Sequence, residues 1–217
     1  RKGTGELISA PVDTRDGRTS VVELSNVSGL KISVALWFYN AMGQKKSQQR
    51  IVLGARETRH LIVNELLGNG QLGTVLADSS RVNSLVAVVM QYQRASDGAI
   101  ASMHGISLEN PLGSVLRGSY NTFLGQHSYV VLVNPTSIAQ RAYAVVVRNS
   151  GEKILDGAFV NGALRVPARG VLVEDVTSLV GADDYGVVSI LAEREKSLLA
   201  YVIRERNGEY VIPTPLR

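Results

Sequence analysis

Two stretches of the chain read as versions of each other: LGARETRHLIVNELLG at residues 53–68 and VPARGVLVEDVTSLVG at residues 166–181. Laid in register, Ala55/Ala168, Arg56/Arg169, Val63/Val176, Leu66/Leu179 and Gly68/Gly181 coincide. In both, an extended apolar segment (RHLIV or VLVEDV) runs into a short helical pattern that stops at glycine. Asn64 or Thr177 is placed to cap the turn, and Leu66 or Leu179 to point inward. Gly68 or Gly181 is placed to leave the turn with positive φ, where a side chain would be strained. The motif therefore predicts a strand, one helical turn and a glycine stop, written twice.

Outward from this motif the register holds. Downstream it carries Gly73 onto Gly186, Arg81 onto Arg194, Leu85 onto Leu198 and Ala87 onto Ala200. Upstream, beyond a hairpin that is longer in the second copy, it pairs Thr14 with Thr122, Gly17 with Gly125 and Ser20 with Ser128. Val22/Val130, Leu24/Leu132, Asn26/Asn134 and Gly43/Gly151 follow in the same register. Self-similarity at a fixed spacing marks a duplicated structural unit, and it predicts two domains, residues 1–108 and 109–217.

Each copy reads as strands. SYVVLVNPTS at 128–137 is an apolar strand ended by Asn134-Pro135, and SVVELSNVSG at 20–29 is its counterpart. ISVALWFYNAMG at 32–43 and RAYAVVVRNSG at 141–151 are strands closed by glycine-containing hairpins. LVAVVMQYQRASDGAIASM at 85–103 and LLAYVIRERNGEYVI at 198–212 are final hairpins, with Ser-Asp-Gly and Arg-Asn-Gly as turn signals. About seven short strands per copy, with frequent turns, predict an all-β chain. The expected architecture is two tandem β-sandwiches of immunoglobulin or fibronectin III character, each with one short helical turn.

Composition narrows the classes of function. The chain has 217 residues, no cysteine, 21 glycines and a formal net charge of +4. Absence of cysteine removes disulfides, Cys-ligated zinc and thiol nucleophiles together. The basic residues are scattered, without the basic, aromatic-interleaved groove that nucleic acid requires. No apolar run approaches the ~18–20 residues of a membrane span, so neither a nucleic-acid partner nor membrane insertion is expected. The chain opens at Arg1 instead of Met. It is read as a processed or excised piece whose leader is not present in this chain.

The candidate sites are few. In VALWFY, alternation sets Val34, Leu36 and Phe38 on one face and Ala35, Trp37 and Tyr39 on the other. If the first set is core, Trp37 and Tyr39 form an aromatic platform for a sugar ring or a neighbouring subunit. The competing reading is a central strand buried on both faces. Glu174, Asp175, Asp183 and Asp184 gather in the second copy and are absent from the first. They are the best placed carboxylates for Ca²⁺, which takes six to eight oxygens. They lack the alternating Asp ladder of a calcium loop, and a solvated acidic edge is the simpler reading. Glu193 and Glu195 sit among Arg194 and Lys196 as a solvated loop. His60, His104 and His127 lie in separate segments. No Gly-x-Ser-x-Gly elbow and no glycine-rich phosphate loop is present. No catalytic residue, cofactor or enzymatic activity is expected. Arg56 and Arg169 persist in both copies and suggest a local role at strand-end carbonyls.

At Asn134-Pro135-Thr136, Gly151 and Pro167 through Gly181 the sequence resembles tandem immunoglobulin-like or fibronectin III-like modules of bacterial exported and cell-surface proteins. The first copy departs from that pattern, with Val27 in place of the proline and Gly54 in place of Pro167. The resemblance implies a fold and a secreted or cell-surface setting, and it carries over no active site. The expected role is a non-catalytic structural or adhesive subunit, such as a surface scaffold or filament. It would associate with copies of itself or neighbouring modules through strand edges and apolar faces, residues 1–14 serving for strand addition. The alternative is a carbohydrate- or protein-binding module using Trp37 and Tyr39.

Overall fold

The computed structural model describes residues 7–157, 163–206 and 210–217. The chain divides into two compact units, Arg1–Asn110 and Pro111–Arg217.

The first unit contains β1 (Ile8–Asp13), β2 (Thr19–Asn26), β3 (Ile32–Asn40), β4 (Lys45–Leu53), β5 (Thr58–Ile62), α1 (Val63–Leu67), β6 (Leu72–Ser79), β7 (Leu85–Arg94) and β8 (Ile100–Ser107). They form two antiparallel sheets, ordered β1-β6-β3-β4 and β5-β2-β7-β8. The second unit contains β9 (Val115–Asn121), a 3-10 turn at Phe123–Gly125, β10 (His127–Val133), β11 (Gln140–Arg148), β12 (Lys153–Gly157) and β13 (Leu164–Val166). It is completed by β14 (Val171–Asp175), α2 (Thr177–Val180), β15 (Tyr185–Ala192), β16 (Leu199–Arg206) and β17 (Tyr210–Pro215). Its sheets are β9-β15-β11-β12, with β13 also against β11, and β14-β10-β16-β17. Strand for strand this is the order of the first unit, with β12 and β13 together standing for β4. Both units are all-β, as the alternation and turn spacing predict.

Alternation places the cores. Val34, Leu36 and Phe38 on β3, Val22 and Leu24 on β2, and Val75 and Ala77 on β6 are fully buried. In the second unit one cluster joins both sheets through Leu116, Ala144, Val146 and Ile190 on one side and Val130, Leu132 and Val202 on the other. With no disulfide available, this apolar burial, at roughly 25 cal/mol per Å² removed from water, carries the stability of each unit.

The polar residues that the two copies share build the same hydrogen bonds in both. Thr14 Oγ1 donates to Gly68 O at 2.7 Å, and Thr122 Oγ1 to Gly181 O at 2.9 Å. Asn26 Nδ2 donates to Leu30 O and Gly54 O, and Asn134 Nδ2 to Ile138 O and Pro167 O. Their Oδ1 atoms accept from the backbone N–H of Ser28 and Thr136 at 3.0 and 2.9 Å. Ser20 and Ser128 each donate a hydroxyl to the end of the preceding strand, at Asp13 O and Asn121 O. Even the backbone irregularities repeat: Arg56 and Arg169 both have φ 60°, and β3 and β11 carry bulges at Phe38/Tyr39 and Val146/Val147.

Two expectations change. The helical turns bury Val63 with Leu67, and Val180 together with Val176 just before α2, while Leu66 and Leu179 are only half-buried. The turn begins on an inward residue, so the next residue on that face lies four positions on, one beyond the predicted leucine. Asn64 and Thr177 do not cap these turns. Asn64 Oδ1 and Thr177 Oγ1 accept the backbone N–H of Ser20 and Ser128, lashing each turn to β2 or β10. The chain at 8–13 forms β1, an edge strand of its sheet. β1 pairs along its length with β6, and Ser9 exchanges backbone hydrogen bonds with Glu109 at 2.9 and 3.0 Å. Residues 1–6 lie outside the described residues, as does the predicted turn at Asn207-Gly208.

Candidate functional site

β3 lies between β6 and β4, so its outward residues share a face with theirs. Trp37 stands opposite Leu76 on one side and Gln48 on the other; Tyr39 stands opposite Thr74 and Lys45. Directly opposed side chains lie about 4.5–5.5 Å apart at Cβ. Leu76 is 1% and Thr74 0% exposed, whereas Trp37 and Tyr39 are half-buried. The strand is therefore not buried equally on both faces, because its outward aromatics keep part of their surface open. One row away, Ala35 separates Asp78 from Arg50. Asp78 Oδ1 is buried without a hydrogen-bond partner, and desolvation raises the carboxyl above its ordinary pKa. An aromatic pair beside an amide and a guanidinium has the chemistry to receive a polyhydroxylated ring.

The structure disperses the four acidic residues. Asp175 accepts from the N–H and hydroxyl of Ser178. Asp183 accepts from the Leu124 N–H at 3.3 Å. Asp184 takes the Nε of Arg148 at 2.6 Å. Glu174 is raised by desolvation, which disfavours the charged form a cation would need. Among the described residues no group of three or more metal-ligating side chains is gathered. The calcium expectation thus meets carboxylates already committed to α2, to the 3-10 turn and to Arg148.

That arginine was not visible as a hub in the sequence. Besides Asp184 it holds Glu152 at 2.8 Å and the Val180 carbonyl at 3.3 Å, and the bonds to Asp184 and Glu152 raise its pKa further. In the first copy the corresponding hairpin is tied by Asn40 Nδ2 donating to Gln44 Oε1 at 2.9 Å. An uncharged pair there does the work of an ion pair here. Arg169 also acts locally, its guanidinium donating to the Pro135 carbonyl at a strand end, as its persistence suggests. The feature that Arg56 shares with it is the positive φ.

A second cluster belongs to the first unit alone. Asp13, 8% exposed, receives Arg15 through two side-chain bonds of 2.9 Å and one backbone bond, and Arg18 at 2.8 Å. Burial tends to raise the Asp13 pKa, but the arginine hydrogen bonds and charges outweigh it and hold the carboxyl low. His104 on β8 lies near this group with its Nε2 buried and unpartnered. Burial, aided by Arg18, pushes its pKa down to about 4, against a smaller opposing pull from Asp13. The second copy has Asn121, Phe123 and Gln126 where the first has Asp13, Arg15 and Arg18.

This difference predicts an acid response confined to one unit. The unfolded chain protonates His104 near 6.5, the fold only near 4, so stability is fully present above 6.5 and is lost as pH falls toward 4. Asp13 adds a loss at still lower pH. Melting followed by Trp37 fluorescence should drop between pH 6.5 and 4, and His104→Leu should flatten that slope. An unchanged slope would refute the assignment. His60, 3.7 Å from Glu23, and His127, stacked on Tyr129, lie elsewhere, so the three histidines form no common site.

Apolar faces are expected from the sequence, and strand pairing locates one of them. On the outer face of the β9-β15-β11-β12 sheet, Val115, Leu191 and Tyr143 line up across three strands, 42%, 38% and 48% exposed. Val187 and Tyr185 extend the face at 44% and 45%. The signal lay in RAYAVVVR, whose two alternating sets are both apolar.

No helix among the described residues is long and apolar enough to cross a membrane. No protein-family model matches the chain, and no curated protein matches it. Among solved structures, it is similar to a protein from Parabacteroides distasonis that is provisionally described as secreted. The two are 9% identical, with 96% of this chain and 78% of that one covered, at a TM-score of 0.26. It is also similar to a β-glucuronidase from glycoside hydrolase family 2, at 10% identity, 96% and 23% coverage and a TM-score of 0.21. A family 2 glycosyl hydrolase from Bacteroides cellulosilyticus follows at 8% identity, 98% and 28% coverage and 0.22. The chain spans about a quarter of the length of these two hydrolases. At such scores the likenesses carry no argument about fold or activity, and the functional reading rests on the residues themselves.

Proposed function

We propose that this chain is a non-catalytic structural module of the extracellular or cell-surface kind, two sandwiches in tandem serving as scaffold or assembly subunit. One observation carries the reading. The two copies share their hydrogen-bond framework almost residue for residue, at Thr14/Thr122, Ser20/Ser128 and Asn26/Asn134. Their chemically able side chains are not shared: Asp13, His104, Trp37 and Asp184 each occur in one copy only. The duplication has thus kept what holds a sandwich together. The secreted or surface setting rests on the resemblance to exported modules. Light scattering coupled to size exclusion, with negative-stain imaging, tests the assembly role. Concentration-dependent oligomers or fibres support it, and a strictly monomeric particle refutes it.

A second reading is favoured by the partly open Trp37/Tyr39 face beside Gln48 and Arg50: a carbohydrate-binding surface. Trp37→Ala should then abolish binding on a glycan array without changing the far-UV circular dichroism. Binding that survives the substitution would end this reading.

A further inference from the structure

The exposed apolar face of the second unit has a geometry that selects its partner. Three parallel rows cross it. The upper row is Val115, Leu191 and Tyr143. The middle row is Arg117, Ser189, Val145 and Asp156, one residue from each of β9, β15, β11 and β12. The lower row is Ser119, Val187, Val147 and Lys153. The outer rows are apolar at their centre. The middle row carries a positive charge at one edge strand and a negative charge at the other. All of Arg117, Asp156 and Lys153 are exposed, and the one ion pair among them is the surface contact of Lys153 with Asp156 at 2.9 Å.

Five apolar side chains exposed by 38–48% offer on the order of 400 Å², the size of the largest apolar patch on a typical monomer, which is often functional. Two sheets pack face to face about 10 Å apart with side chains interdigitating. Two copies can bring this face together by a two-fold axis lying across the strands or by one lying along them. The first sets Arg117 against Arg117 of the other copy. The second sets β9 over β12 and β15 over β11, so that Arg117 meets Asp156, Leu191 meets Tyr143 and Val187 meets Val147, each pair made twice. Charge decides between the two.

We propose that this face of the β9-β15-β11-β12 sheet packs on the same face of a second copy of the chain, about a two-fold axis parallel to the strands. The inference deepens the assembly reading and rests on it. The ~400 Å² of apolar surface per copy is close to the apolar share of a standard interface of ~800 Å² per partner, and the pairing is expected to be concentration-dependent.

Sedimentation velocity on the full chain over a range of concentrations tests it. The wild type should form dimers, and Leu191→Glu should raise the dissociation constant at least tenfold. Tyr143→Ser, a milder change at another exposed position, should raise it severalfold, with circular dichroism confirming that both variants fold. Arg117→Asp should weaken pairing, and Arg117→Asp combined with Asp156→Arg should restore it to within a few-fold of wild type. Dimers indifferent to Leu191→Glu and Tyr143→Ser would overturn this interface while leaving the assembly reading to the strand edges. A double charge reversal that stays as weak as the single one would overturn the axis. A monomer at every concentration would overturn both the interface and the assembly reading.

Discussion

Gly186→Ala should strongly destabilise the second unit and spare the first. A β-carbon at this position would stand 2.0 Å from the carbonyl oxygen of Val147, and 2.9 Å from both the Arg148 Cα and the Tyr120 hydroxyl. The obstacle is the backbone of the neighbouring strand, which cannot rotate aside as a side chain could. Relief requires β11 and β15 to part at the bulge where β11 is already irregular. The Tyr120 ring is equally constrained: it is 1% exposed, and burial, with Asp184 nearby, raises its pKa to about 12. Overpacking that moves backbone in this way costs on the order of 3–5 kcal/mol, a large part of a domain's ~5–15 kcal/mol. The chain supplies its own reporter, because its one tryptophan is Trp37 in the first unit. In urea, the Trp37 transition should stay in place for Gly186→Ala, while the circular dichroism midpoint of the second unit falls sharply. Gly73→Ala, whose β-carbon would stand 2.0 Å from Tyr39 O, should do the reverse.

The second large effect is expected at Asn134. Its side chain is completely buried and joins three pieces of backbone. Nδ2 donates to Ile138 O at 2.8 Å and Pro167 O at 2.9 Å, with Val166 O at 3.2 Å, and Oδ1 accepts from both the N–H and the hydroxyl of Thr136. Alanine leaves these buried groups unpaired, at about 1–3 kcal/mol each where water cannot replace the bond. A total loss of about 3–4 kcal/mol is expected for Asn134→Ala from urea denaturation. Asn134→Asp is the informative control. It keeps the acceptor but turns a carboxylate oxygen toward three carbonyls, so it should be no more stable than alanine and should recover somewhat at acid pH. If the aspartate variant were as stable as wild type, the side chain would not be bonded as described.

These two positions also show what a single sequence discloses. Gly73/Gly186 and Asn26/Asn134 coincide when the chain is laid on itself, and both pairs prove to be places where two backbones are held close. Internal repetition reveals such sites because packing constrains both copies in the same way. Alternation in VALWFY likewise separates Val34, Leu36 and Phe38 from Trp37. How open Trp37 remains depends on Leu76 and Gln48, which only strand pairing brings alongside. β6 and β15 escaped notice since LGTVLADS and YGVVSILA have no turn signature of their own, yet each supplies the partner of both a central and an edge strand. The Asp13, Arg15, Arg18 and His104 cluster is divided between segments far apart in the chain. The apolar stripe of the second unit is invisible as a stripe because its members come from three strands. The acidic residues near 174–184 are neighbours in sequence, and the fold gives three of them separate partners.

The claim on which all of this stands is that the halves are one sandwich written twice. Residue-resolved amide hydrogen exchange tests it most directly. The account predicts slow, matched exchange at register-equivalent amides that bond within each unit: Thr14 with Thr122, Ser20 with Ser128, Asn26 with Asn134. Protection at these amides in one half, with exchange at the rate of an unfolded chain in the other, would contradict it.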